Sequence, residues 1–351
     1  MTDEIQFERR GGIGLVTLNR PRALNALTLA MIEAMSPQLD AWAADPAVHA
    51  VVVRGAGERA FCAGGDVRAV YDSVKTTPSD LHRVFFAAEY RLNRQIHRYP
   101  KPYIALIDGV TMGGGVGLSI HGAFRVASER TLVAMPETGI GLFPDVGGTW
   151  FLPRMPGWLG TWAGLTGARL GPADAVYCGF ATHYVPSAKL PALEAALADA
   201  DWAAAPAHDV ARRAIQSLAE GAGLPPAAAW RSRIDDCFRR DSLEAVLAAL
   251  AAGDEWCRGQ RDAIASKSPT ALAMTFEQLR RGRLIASIEE ALVLEYRLTQ
   301  ACMAGHDFFE GIRALLVDKD QSPKWRPASL AEVDPAAIAR AFDPLPNDLT
   351  F

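Results

Sequence analysis

A mixed α/β core followed by a mainly helical C-terminal region is the architecture that this 351-residue sequence predicts. Short β-branched runs alternate with stretches of helical spacing through the first half, and that alternation repeats. From about Lys189 the texture changes to Ala- and Leu-rich sequence with helical periodicity. With 50% hydrophobic and 22% charged residues, the chain has enough apolar surface for one large domain or two of ordinary size.

The first strand is expected at Gly14 to Asn19 and the next at Ala50 to Arg54. Between them Ile32, Met35, Leu39 and Trp42 share one helical face, which makes a strand–helix–strand unit. The order recurs as a helix around Arg83 to His97, a strand at Tyr103 to Ile107, a Gly-rich turn, and short strands at Phe124 to Ala127 and Leu132 to Met135. We therefore expect an α/β core over 1–188 and a helical region over 189–351, interrupted by Pro206, Gly221, Gly223, Pro225 and Pro226. The alanine-rich stretch Ala192 to Ala207 has the apolar spacing of a surface helix rather than a linker.

Charge and cysteine usage exclude several functions. Thirty-six basic against 40 acidic residues, a net charge of −4, give no electrostatic footprint for nucleic acid. Cys62, Cys178, Cys237, Cys257 and Cys302 are odd in number and never spaced as C-x-x-C, which suits a reducing compartment better than a disulfide framework or a zinc knuckle. The acidic start of the chain is unlike a basic leader, and no apolar run approaches the ~18 residues of a membrane span, so a cytoplasmic protein without membrane contact is expected.

The chemistry concentrates between Gly109 and Gly148. Gly113, Gly114 and Gly115 follow a strand, and residues without Cβ let a ligand approach peptide N–H groups; in isolation such a run equally marks a tight turn. A second small-residue turn, Phe61-Cys62-Ala63-Gly64-Gly65-Asp66, supplies further exposed N–H groups, and two such turns can form an oxyanion hole. Glu137, in Met-Pro-Glu-Thr, and Asp145, in Phe-Pro-Asp-Val-Gly-Gly, sit in otherwise apolar sequence. Such a carboxylate is either a surface cap beside a buried strand or a desolvated acid tuned for catalysis. The dinucleotide pattern fails at Leu118 and Ile120, a Walker A loop is missing, and Ser119 lacks the second glycine of a nucleophile elbow, since His121 stands there. The seven histidines show no metal-binding spacing.

Taken together, these residues resemble the crotonase (enoyl-CoA hydratase/isomerase) superfamily over nearly the whole chain. Asn19 to Leu27 (NRPRALNAL) looks like the family's CoA-binding turn, Phe61 to Asp66 like its first oxyanion turn, and Asp108 to Gly115 (DGVTMGGG) like its second. The resemblance implies a spiral of repeated ββα units with a C-terminal helical region. It further implies that the N–H groups of Gly65 and Gly114 grip a thioester carbonyl, and that Arg22, Ala23 and Ala63 lie along the CoA. A hydratase of the usual kind carries a glutamate two residues beyond the glycine triplet, where this chain has Gly117.

The phrases MPET and GLFPDVGG and the block His306 to Trp325 instead resemble the branch of that family that hydrolyses short 3-hydroxyacyl-CoA thioesters. By that resemblance Glu137 and Asp145 form the catalytic pair and Glu89, in the phrase FFAAEY, joins Gly114, Glu137 and Asp145 in binding the acyl group. The expected substrate is 3-hydroxyisobutyryl-CoA, and the expected pathway is valine breakdown. A short hydroxylated acyl group needs one polar anchor in apolar surroundings, as Asp145 offers amid Leu142, Phe143 and Trp150. The resemblance also implies a homo-oligomer, a trimer or a pair of trimers, and no cofactor beyond the CoA of the substrate. The competing readings are a single-carboxylate enoyl-CoA isomerase or dehydratase and, from a different class, a non-catalytic CoA- or RNA-binding protein, which the net acidity and the carboxylate pair oppose.

Overall fold

Strands form where the β-branched runs lie, among the residues that the computed structural model describes, 3–75 and 79–351. In chain order they are β1 (Ile5–Arg10), β2 (Ile13–Leu18), β3 (Ala50–Gly55), β4 (Ala60–Cys62), β5 (Tyr103–Ile107), β6 (Val110–Met112), β7 (Phe124–Ala127), β8 (Leu132–Ala134) and β9 (His183–Tyr184). Six of them make one sheet in the order β1-β2-β3-β5-β7-β9, with β1 antiparallel to β2 and the other neighbours parallel. β4, β6 and β8 make a second, smaller sheet. The fold is thus mixed α/β with a helical C-terminal region, as the sequence predicts.

By its internal contacts the chain divides into two units, Met1–Gly65 with Arg91–Val133 and Arg169–Ala228, and Asp66–Tyr90 with Ala134–Ala168 and Ala229–Phe351. Each takes segments from both sides of residue 188. In the first unit, alternate residues of the large sheet, Ile13, Leu15, Ala50, Val52, Ile104, Leu106, Phe124 and Val126, pack under Leu190, Leu193 and Leu197 of the helix Leu190–Ala198 and Ile215 of the helix Ala207–Gln216. The other face of the sheet is buried as well, at Val16, Leu18, Val51, Val53 and Ala105. A sheet covered on both faces explains why its strands read as continuous apolar runs rather than alternating ones. The alanine-rich stretch is helical only to Ala198, and 199–206 connects the two covering helices.

The second unit is almost wholly helical, and its helix starts carry their own chemistry. Ser242, Asp254, Ser268 and Ser287 each accept the N–H of the third residue beyond them, satisfying one donor that the first helical turn leaves unpaired. The helices so begun include Pro269–Gly282 and Ile288–Ala304, which brace the acidic cluster of this unit.

Candidate active site

In the first unit the turn Asn19 to Leu27 and the turn Phe61 to Gly65, expected from the sequence to bind CoA and an oxyanion, are joined by hydrogen bonds. Asn25 is fully buried, accepts the Arg20 N–H at 2.9 Å and donates through Nδ2 to the carbonyls of Ala56 and Ala60 at 3.0 and 2.8 Å. The Ala63 N–H reaches the Leu24 carbonyl at 3.0 Å, and the Leu27 N–H reaches that of Gly64 at 2.8 Å. These bonds hold Arg22 and Ala23, exposed in the short turn Pro21–Ala23, against Ala63 to Gly65. The glycine triplet follows β6, which pairs with β4. A Cβ on Gly115 would stand 2.0 Å from the Cys62 carbonyl oxygen, so backbone approaches backbone there and only glycine fits. Gly114 opens the helix Gly114–Ile120, placing its N–H in the turn that lacks intrahelical acceptors. Ser119 is structural: its hydroxyl donates to the carbonyls of Gly115 and Val116.

In the second unit the structure brings together Glu89, Glu137 and Asp145. Glu137 begins the 3-10 turn Glu137–Ile140, which ends at Gly141 with φ 71°. That turn is set by close backbone packing: a Cβ on Gly141 would lie 2.3 Å from the Asp307 backbone, and one on Gly311 would lie 2.6 Å from Ile140. The Ser268 N–H also donates to the Thr138 carbonyl at 3.1 Å. Glu137 is 5% exposed, Asp145 4% and Glu89 2%, which settles the choice between surface cap and desolvated acid in favour of the latter.

Burial first, then the Asp145 charge and that of Glu89, hold the Glu137 carboxyl well above the usual carboxylate range, against a lowering hydrogen bond from its own backbone. Glu89 is likewise raised by burial and by Asp145 and Glu295. Asp145 is pushed up to about 7 by burial, opposed by the hydroxyl of Tyr90 and by its own backbone N–H. Tyr90, fully buried, donates to Asp145 Oδ2 at 2.8 Å. Among the described residues neither Glu137 Oε2 nor Glu89 Oε1 has a hydrogen-bond partner. Charges crowded out of water cannot all ionise, and the acid with a donor ionises first. Asp145 is therefore the carboxylate of the pair, and Glu137 the high-pKa group beside it.

Tyr90, Glu295 and Gln278 complete this cluster and were not singled out from the sequence. The signal for Glu295 was there: it interrupts the apolar face Ile288, Ala291, Leu292, Leu298 and Cys302 at helical spacing. The charged tail anchors itself, with Arg313 bound to Glu310, Asp318 and Asp320. Among the described residues no group of three or more metal-ligating side chains converges as a metal site, and no helix is long and apolar enough to cross a membrane.

Residues 13–342 match the family described as enoyl-CoA hydratase/isomerase. A protein of Danio rerio named 3-hydroxyisobutyryl-CoA hydrolase, mitochondrial, is 48% identical over 348 residues, covering 97% of this chain and 90% of that protein. The protein of the same name from Gallus gallus is 46% identical over 351 residues, covering 98% and 90%. Among solved structures, a carnitinyl-CoA dehydratase from Mycobacterium thermoresistibile superimposes with a TM-score of 0.92 at 45% identity, covering 100% of this chain and 99% of that one.

Proposed function

The chain belongs to the enoyl-CoA hydratase/isomerase family, and on that premise we propose that it is an acyl-CoA thioester hydrolase that converts 3-hydroxyisobutyryl-CoA to 3-hydroxyisobutyrate and CoA. The observation that carries the reading is the buried, raised carboxyl of Glu137 beside an Asp145 held by Tyr90. A carboxylate whose pKa lies nearer the working pH is a stronger base when it ionises. Glu137 acts either as nucleophile, giving a mixed anhydride that water opens, or as base to the water itself; in both routes the acyl carbon gains oxygen and the CoA sulfur leaves with a proton. The N–H groups of Gly65 and Gly114 hold the thioester oxygen as it becomes an oxyanion, a contribution of roughly a few kcal/mol per donor. Arg22, Ala23 and Ala63 bind the CoA, and Asp145, with Glu89 and Glu137, receives the hydroxylated acyl group.

The reading needs no resident cofactor, because CoA arrives with the substrate. It suits a place in valine breakdown and a homo-oligomeric assembly, a trimer or hexamer. The five cysteines remain thiols, which favours a reducing compartment such as the cytoplasm. The Danio rerio and Gallus gallus relatives are named mitochondrial, and cell fractionation separates the two locations.

A second reading follows from the likeness to the Mycobacterium thermoresistibile dehydratase: Glu137 would remove the α-proton as the 3-hydroxyl departs, leaving an enoyl thioester intact. One assay decides. Incubated with 3-hydroxyisobutyryl-CoA, the hydrolase releases free thiol in step with substrate loss, whereas a dehydratase produces enoyl absorbance and no thiol.

A further inference from the structure

The helix Ile288–Ala304 carries on its buried face an acid that the proposed reaction does not use. Glu295 is wholly inaccessible to solvent among Ala291, Leu292 and Leu298, where a carboxylate is tolerated only if donors answer it. Two do. The Gly147 N–H donates to Oε2 at 2.7 Å and the Thr149 N–H to Oε1 at 2.8 Å, so each oxygen grips a separate peptide on the far side of Asp145. Gln278 Nε2 bridges the two sides, donating to the Pro144 carbonyl before Asp145 at 2.7 Å and to Thr149 Oγ1 after it at 2.8 Å.

The segment between these clamps is not one that the chain adopts readily. Val146 has φ 50° and Gly147 φ 91°, so a β-branched residue occupies the left-handed region immediately after Asp145. Such backbone persists only where its surroundings over-determine it. The Gly148 N–H closes the turn on the Asp145 carbonyl at 2.8 Å. Each restraint on this turn therefore acts within four residues of the Asp145 side chain, and the two clamping side chains come from the helical C-terminal region.

We propose that Glu295 is the positioning residue for Asp145, using its two carboxylate oxygens to hold the left-handed Val146–Gly147 turn that directs the Asp145 side chain to the substrate's 3-hydroxyl. The inference rests on the reading of Asp145 as the partner of that hydroxyl. Both peptide partners are N–H groups, so the clamp is complete only with the carboxyl ionised; burial pushes that carboxyl up to about 8 against the lowering bonds from Gly147 and Thr149. In Glu295→Gln the size is kept, but an amide NH2 faces one of the two peptide donors and the turn loses half of its clamp.

The test is a double-mutant cycle on the purified full-length enzyme, with thiol release measured from 3-hydroxyisobutyryl-CoA and from isobutyryl-CoA. Glu295→Gln is expected to cut kcat/KM for the hydroxylated substrate by about tenfold or more, the scale of a misplaced catalytic group, and that for the plain substrate by less than about threefold. In an Asp145→Ala background the same substitution is expected to add no further loss, since two residues acting as one unit are not additive. Equal losses on both substrates, or full additivity, would make Glu295 a merely structural brace and overturn the inference. If Asp145→Ala leaves the substrate preference intact, the reading of Asp145 fails and the inference falls with it. If Asp145→Ala abolishes the preference while Glu295→Gln keeps it, only the inference fails. Should Glu295→Gln not fold, Glu295→Asp keeps the charge and both acceptors on a shorter arm. It must then lower the preference for the hydroxylated substrate, and an unchanged preference overturns the proposal.

Discussion

The Tyr90 hydroxyl donates to Asp145 Oδ2 at 2.8 Å, and both side chains are buried. That bond lowers a pKa which burial alone would raise further, and Asp145 ends near 7. On the proposed reading the ionised form accepts a substrate hydroxyl, so kcat/KM should fall as pH drops through about 7 rather than near the ordinary carboxylate range. Removing the donor in Tyr90→Phe leaves burial opposed only by the Asp145 backbone N–H and should move this limb to higher pH. A pH profile of kcat/KM for both enzymes checks it; coincident limbs would detach Tyr90 from the titration.

Glu137 should carry the chemistry at a cost to stability. Glu137→Gln is expected to reduce kcat by about 100-fold or more, the range of lost acid–base catalysis, with little change in affinity for the CoA ester. A carboxyl whose folded pKa is raised contributes stability at low pH and loses it as pH climbs through that value. The Gln variant, which cannot ionise, should therefore melt higher than the parent at pH 8. The gap should close as pH is lowered toward the usual carboxylate range. Melting curves across pH, read beside the kinetics, decide both halves.

The turn that presents Glu137 depends on Gly141. With φ 71° and the Asp307 backbone 2.3 Å from any Cβ, Gly141→Ala forces both a strained backbone and a clash with main chain that cannot rotate away. A loss of about 2 kcal/mol or more in denaturant unfolding is expected, together with reduced turnover. Wild-type stability would show that the segment Asp307–Ile312 yields more easily than its packing suggests.

The sequence was most legible where function compresses information into a short phrase. Glu137 and Asp145 stand out as acids in apolar runs, the strands β2 and β3 as β-branched segments, and β5 and β7 as short strands in the recurring order. The short strands β4 and β6 lie in phrases that read as small-residue and glycine turns, so of the small sheet only β8 was expected as a strand. Glu295 and Gln278 reach the Asp145 turn from 148 and 134 residues away along the chain, so nothing local to that turn announces them. Their only trace is polarity at a position where helical spacing demands an apolar side chain, a sign that a buried partner exists but not which one. The same limit hid Tyr90: its aromatic ring reads as core, and its hydroxyl becomes informative only once Asp145 is opposite it.

Gly117 removes half of a hydratase's acid–base pair. It is buried in the helix Gly114–Ile120 and offers no side chain to hold a second water-activating group. Crotonyl-CoA should therefore not be hydrated at a useful rate, and its enoyl absorbance should stay constant under conditions in which 3-hydroxyisobutyryl-CoA loses its thiol. Rapid decay of that absorbance would place the chain among hydratases instead.

Discrimination by the 3-hydroxyl offers the sharpest test of the acyl site. Asp145 is 4% exposed, and with Oδ2 engaged by Tyr90 the recognition of a substrate hydroxyl falls to Oδ1. An acyl group that lacks the hydroxyl takes one donor from the buried carboxylate, and sites built to hydrogen-bond a hydroxyl reject the bare analogue far more strongly than an apolar wall rejects an extra group. The wild type should thus prefer 3-hydroxyisobutyryl-CoA over isobutyryl-CoA by about 100-fold or more in kcat/KM. In Asp145→Ala the hydroxyl no longer has a partner whose bond strengthens in the transition state, and the ratio should collapse toward one. The two substrates must converge mainly through loss on the hydroxylated one. If both fall by the same factor, Asp145 serves a proton transfer common to every thioester, and hydroxyl recognition passes to Glu89, whose buried Oε1 has no partner among the described residues.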